Sequence, residues 1–251
     1  MTYCLATRVR DGMTFVSDSR TNAGVDQLST FSKMHVFGGD GQRLFVLLSA
    51  GNLATTQNVV SRLRRDIRDN AKTNLLSIPS ITEVAEYVGK VSRVIQEKHA
   101  PKGDDSGFDP QASFILGGQI QGQHQRLFMI YPEGNFMHTT ERTPYLQIGE
   151  TKYGKPILDR IVGYDTDLET AARCGVVSMD STMRSNATVG PPIEVLIYNI
   201  GTQIASQRFV FEEDSDYLSS IRSAWDENLR NAFATLPKIT VEQSNIRLVD
   251  G

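Results

Sequence analysis

The chain has 251 residues, of which 39% are hydrophobic and 22% charged, with a net charge of −3. This is ordinary for a globular protein and long enough for one large domain or two small ones. A near-balanced charge gives no reason to expect nucleic acid or a membrane surface as partner, and no apolar run approaches the roughly 20 residues of a transmembrane helix.

The chain opens on Met1-Thr2 and then runs as strand. Tyr3 to Val9 is an apolar-rich run, Asp11-Gly12 is a hairpin signal, and Met13 to Ser17 returns as a second strand. A basic-then-apolar leader is not expected, because strand-like sequence with Arg8 and Arg10 begins at once. Lys33 to Phe37 and Leu44 to Leu48 form another hairpin around Gly38-Gly39-Asp40-Gly41. Ser49-Ala50-Gly51-Asn52 then opens a helix carrying Val59, Leu63 and Ile67 at helical spacing. A second helix, Thr82 to about His99, puts Val84, Val88, Val91 and Ile95 on one stripe.

The polar Pro101 to Gln111 reads as a mobile surface loop. Strands resume at Ser113 to Gln119, Arg126 to Tyr131 and Tyr145 to Ile148, followed by helices at Lys155 to Val162 and Leu168 to Met179. Ile193 to Ile200 and Arg208 to Glu212 supply closing strands, and an amphipathic helix runs from Tyr217 to Ala234. That order predicts two antiparallel sheets with paired helices outside them, a four-layer αββα sandwich in the α+β class. One domain over 1–251 is expected, with a helical extension at about 213–251. The last helix, with Trp225 and Phe233, serves either core packing or a subunit contact.

Cys4 and Cys174 lie far apart, and His35, His99, His124 and His138 are scattered. No metal site, cofactor or histidine-based triad is expected, and His35 reads as a strand residue. The cysteines read as reduced and buried in a cytoplasmic protein.

The chemistry gathers at the amino terminus. An initiator Met before a small Thr is normally removed, which leaves Thr2 with a free α-amine beside its own hydroxyl. That amine, with an ordinary pKa of about 7.7–8.0, can act as general base for the hydroxyl. Asp18, in Val16-Ser17-Asp18-Ser19-Arg20, and Lys33, in Phe31-Ser32-Lys33-Met34, sit in contexts that can return to the first strand. An ammonium there favours the alkoxide, and Asp18 holds it charged and oriented. Lys33 is the electrostatic element of the site, not a second base. Ser49-Ala50-Gly51, at the strand-to-helix junction, is the candidate oxyanion hole.

Thr2, Ser17-Asp18-Ser19-Arg20, Lys33 and Ser49-Ala50-Gly51 together resemble the catalytic half of a proteasome β subunit. They are similar also to the peptidase core of the bacterial ATP-dependent two-component protease. Ser17 to Asp26 and Met179 to Asn186 resemble most closely the bacterial family called Anbu, the ancestral β subunit. The start at Met1-Thr2 and the tail after Phe211 also fit it.

The resemblance implies an N-terminal-nucleophile hydrolase fold, threonine-type amide hydrolysis and assembly into a ring or spiral homo-oligomer. Carried over residue by residue, it makes Thr2 the nucleophile, Asp18 and Lys33 the supporting pair, and Gly51 the donor of the oxyanion N–H. Arg20 either ties down the local turn or is a surface ion-pair residue. Where proteasome subunits have a serine after glycine, Ile148-Gly149-Glu150-Thr151 has Glu150. A carboxylate beside a terminal ammonium raises that amine's pKa; the alternative is that Glu150 points into a subunit contact. The family's supporting Asp and Ser after the fourth helix fall, by gapless offset, on Thr182 and Ser185, with Asp180 or Asn186 as substitutes for the missing Asp.

The expected function is a threonine peptidase acting through an acyl-enzyme. The alternatives are a slow amidase or transferase on a small peptide-like amide, and a self-assembling scaffold with little activity. No ATP-binding Gly-x-x-x-x-Gly-Lys-Ser/Thr stretch is present, so energy-dependent unfolding would need a separate ATPase.

Overall fold

The computed structural model describes residues 2–22, 28–100, 109–205 and 207–239. β1 (Tyr3–Val9) and β2 (Gly12–Asp18) form a hairpin closed by a Val9–Gly12 pair. The turn is therefore Arg10-Asp11, one residue earlier than Asp11-Gly12. β3 (Arg20–Asn22) and β4 (Leu28–Thr30) pair as a small ribbon. β5 (Met34–Gly38) and β6 (Arg43–Gly51) are the expected second hairpin.

Helices α1 (Leu53–Arg68) and α2 (Ile81–His99) follow. Asn52 caps α1 by accepting from the Thr55 N–H, and Ser80 caps α2 through Glu83. β7 (Ala112–Ile120), β8 (Arg126–Ile130), β9 (Phe136–His138) and β10 (Tyr145–Gly149) come next. Then come α3 (Lys155–Ile161), α4 (Leu168–Ser185), β11 (Ile193–Asn199), β12 (Gln207–Phe211) and α5 (Asp216–Ala234).

One antiparallel sheet has the order β10-β1-β2-β11-β12 and the other β5-β6-β7-β8-β9. Their facing sides meet in an apolar layer that includes Cys4, Ala6, Phe15, Val46, Leu48 and Ile115. The outer side of the second sheet packs Phe45, Leu47, Phe114 and Leu116 against Val59, Leu63, Val84 and Val88 of α1 and α2. The outer side of the first packs Leu5, Val16 and Val195 against Leu158, Ala172, Val176 and Met179 of α3 and α4. This is the expected αββα sandwich. β1 is buried on both faces, Cys4 and Ala6 toward the other sheet and Tyr3 and Leu5 toward the helices, which is why Tyr3 to Ala6 carries no polar alternation. Both cysteines are free and buried.

α4 extends to Ser185, a turn and a half beyond the Met179 end expected from its apolar stripe. Polar Asp180 and Thr182 interrupt the stripe there, while Met183 still packs on the same apolar layer. Asp180 accepts from Arg222 Nε at 2.7 Å, and Leu218 is buried against the same layer. α5 leaves Leu229 and Phe233 exposed. Among the described residues no helix is long and apolar enough to cross a membrane. The loop expected at Pro101 to Gln111 lies outside the described residues up to 108, as do Met1, Ala23 to Asp26 and the end of the tail from 240.

Candidate functional site

Thr2 precedes β1 at the mouth of a cleft of about 760 Å³ that Lys33, Ser49 and Gly51 also line. Three strand ends converge here. Asp18 closes β2, Lys33 leads into β5, and Gly51 closes β6, with the Ser49 N–H donating to the Lys33 carbonyl at 3.0 Å.

Asp18 is fully buried and Lys33 is 6% exposed. Lys33 Nζ donates to Asp18 Oδ1 at 2.7 Å and to the Arg20 carbonyl at 2.8 Å. An ammonium has three protons, so one N–H is left for the cleft that Thr2 shares. Asp18 Oδ1 also accepts from the Tyr3 N–H at 3.0 Å and Oδ2 from the Gly190 N–H at 3.3 Å. Burial pushes the Asp18 carboxyl above the usual carboxylate range, while Lys33 and these two N–H groups pull it back toward the charged form. Tyr3 and Gly190 carry no motif, and only the fold reveals that they fix the carboxylate directly after the nucleophile.

Two glycines shape the mouth. Gly51 has φ 111°, and a Cβ there would lie 2.3 Å from the Gln111 carbonyl oxygen and 2.9 Å from the Ala112 Cα. Gly149 has φ 84°, and a Cβ would lie 2.0 Å from the Thr2 carbonyl oxygen. That close approach lets the Glu150 N–H donate to the Thr2 carbonyl at 2.7 Å.

Glu150 is 7% exposed, so its side chain faces the interior of this chain. Its carboxylate accepts from Asn186 Nδ2 at 3.2 Å and from the Lys152 N–H at 3.4 Å. Asn186 is oriented by Thr188, whose N–H and hydroxyl both donate to its Oδ1, at 3.0 and 2.6 Å. Arg20 donates to the Ala187 carbonyl at 2.9 Å and stands 4.0 Å from Glu213, joining the two alternatives for it.

The other residues expected beyond α4 are not among those that line the Thr2 cleft. Thr182 is buried and bonds back to the Ser178 carbonyl at 2.9 Å within α4. Ser185 is exposed at the last turn, and Asp180 is taken by Arg222. Thr182 and Ser185 lie within α4, which runs to Ser185, and not beyond it. Asn186, the first residue after α4, is the one that reaches Glu150.

The cleft also has a wall that sequence reasoning missed. α1 contributes Leu53, Thr56, Gln57, Val60, Ser61 and Arg64, one face at helical spacing. His35, on β5 as expected, lines the cleft too. Burial lowers its pKa to about 4, with the Arg64 charge adding to the effect.

The family model for proteasome subunits matches residues 2–198. The chain belongs to the proteasome family. Among solved structures, Anbu from Yersinia bercovieri is 47% identical with a TM-score of 0.90, the match covering 96% of this chain and 100% of that one. The Pseudomonas aeruginosa Anbu complex, described as a helical assembly, is 43% identical with a TM-score of 0.90, covering 96% and 99%. Anbu from Hyphomicrobium sp. strain MC1 is 41% identical with a TM-score of 0.87, covering 96% and 100%. No curated protein matches. The Anbu resemblance carried by Ser17 to Asp26 and Met179 to Asn186 thus extends over nearly the whole proteasome-type chain.

Proposed function

We propose that the chain is a threonine-type peptidase whose nucleophile is Thr2 after removal of Met1, working in a homo-oligomer. The observation that carries this reading is the buried Lys33–Asp18 pair at the mouth of the cleft that Thr2 lines. With Met1 attached, the Thr2 nitrogen is an amide and cannot act as a base. Once freed, it takes the hydroxyl proton as Oγ1 attacks the substrate carbonyl, while Lys33 stabilises the developing negative oxygen. The Gly51 N–H receives the oxyanion. The carbon–nitrogen bond then breaks and the leaving amine takes the proton. Water, deprotonated by the same α-amine, hydrolyses the ester and restores Thr2.

Glu150, whose N–H is bonded to the Thr2 carbonyl, is the residue assigned to the amine side in this reading, because a carboxylate beside a freed terminal amine raises its pKa and makes it a poorer base at neutral pH. Self-association is supported by the helical assembly of the Pseudomonas aeruginosa relative and by the exposed Leu229 and Phe233 of α5. A cytoplasmic location belongs to the same reading, supported by two free, buried cysteines.

The test is hydrolysis of a fluorogenic peptide library by purified, Met1-processed protein and by Thr2→Ala. Turnover present in the first and absent in the second supports the reading. Equal turnover in both would overturn it.

A further inference from the structure

The charged groups along the Thr2 cleft are all of one sign. Among its described lining residues, Lys33 and Arg64 are cationic, His35 is titratable and none is acidic. The Lys33 charge is met by Asp18. Arg64 makes no ion pair with any described residue, stands exposed on α1, and its field is felt at His35. A guanidinium that no described carboxylate pairs, on a cleft wall with the neutral Gln57 and Ser61 beside it on the same helical face, is a receptor for a carboxylate.

The geometry connects this end of the cleft to Thr2. His35 lies two residues beyond Lys33 on the same side of the chain entering β5, about 7 Å further along. Arg64 sits near the far end of the α1 face that starts at Leu53, and helical side chains lean back toward the N-terminus, which brings its guanidinium toward Ser61 and the cleft. A substrate whose carbonyl carbon is held between Thr2 Oγ1 and the Gly51 N–H shares one cleft with the Arg64 guanidinium, a cation that no described carboxylate pairs.

We infer that the cleft selects amide substrates with an acidic side chain on the residue that bears the attacked carbonyl, and that Arg64 is the specificity-determining residue. This rests on Thr2 being the nucleophile. The carboxylate pairs with Arg64, with Gln57 and Ser61 available as neutral donors. A basic side chain is repelled there, and an apolar one forgoes the ion pair.

The test uses two peptide epoxyketones that differ only in Glu or Leu at the residue carrying the warhead, on processed wild-type protein and on Arg64→Glu. The Glu compound is expected to modify Thr2 up to about fivefold faster, the scale of an exposed charge pair, and Arg64→Glu to erase or invert that ratio. An equal or faster Leu compound, with the same ratio in Arg64→Glu, would overturn the inference and leave the nucleophile intact. If neither compound labels, the nucleophile reading fails, and selectivity is read by calorimetry on Thr2→Ala with matched Glu and Leu peptide amides. Tighter binding of the Glu peptide, lost in Thr2→Ala/Arg64→Glu, supports an acid-selective cleft. Equal affinities, or no binding of either peptide, overturn it.

Discussion

Thr2 stands between two polar clusters built in different ways. On the strand side, Asp18 and Lys33 form a direct ion pair of 2.7 Å, with every remaining Asp18 contact coming from backbone N–H groups. On the other side, Glu150 is matched by no cation among the described residues and is held by an amide, Asn186, and a backbone N–H. The first arrangement neutralises the lysine while keeping one of its protons for the cleft. The second leaves a net negative charge near the start of the chain. A site of this kind has a fixed electrostatic element for the hydroxyl and a variable one for the amine, so the two sides should fail differently when altered.

The largest effect should come from the ion pair. Lys33→Ala removes the cation that stabilises the developing charge, so modification of Thr2 by an epoxyketone should slow by about 10²–10⁴-fold. It also strands Asp18 as a buried carboxylate, costing about 3 kcal/mol in urea unfolding. The double variant Asp18→Asn/Lys33→Met should recover most of that stability and none of the labelling. Recovery of both would mean the pair is structural only.

Gly51→Ala comes next. With φ at 111° and a carbonyl 2.3 Å from the new Cβ, the chain must shift and carry the oxyanion N–H away. A loss of about 10²-fold in labelling is expected, with strain of about 1–3 kcal/mol visible in the same unfolding curves. Full labelling in a folded Gly51→Ala protein would exclude that N–H from the site.

His35 sets a pH dependence. Its folded pKa of about 4 lies below the usual 6.5, so the unfolded chain binds a proton more readily. Stability is thus complete above pH 6.5 and is lost as pH falls toward 4, by up to about 3 kcal/mol at about 1.4 kcal/mol per pH unit. His35→Gln should flatten that slope across the window in urea titrations. An unchanged slope would assign the loss to other groups.

The smallest effect is on the amine side. Glu150→Gln keeps the backbone bond to Thr2 and removes one negative charge. The acid limb of the labelling-rate profile should move to lower pH, raising the rate near neutrality within about threefold. An unmoved limb would show that the carboxylate does not act on the amine.

The two sides also differ in how much the sequence reveals. Thr2, Asp18, Lys33 and Gly51 lie close together in the chain, on short strands whose apolar patterns bring their ends together, so the cluster is legible from residue order and spacing. The Glu150–Asn186 contact spans 36 residues and depends on where α4 stops. Buried polar residues such as Asp180 and Thr182 interrupt the apolar stripe while Met183 and the helix continue, so spacing places the end of α4 too early. The three-residue strands β3, β4 and β9 are too short for an alternating pattern. The α1 wall is legible as a helical face, but nothing in its residue types says that Gln57, Ser61 and Arg64 face the nucleophile's cleft; that follows from how α1 lies on the second sheet.

Intact mass of the purified protein, with and without a threonine-directed epoxyketone, tests the central claim most directly. Loss of Met1 with one inhibitor adduct, absent in Thr2→Ala, is the predicted result. Loss of Met1 in a normally assembled protein that takes up no adduct would contradict it.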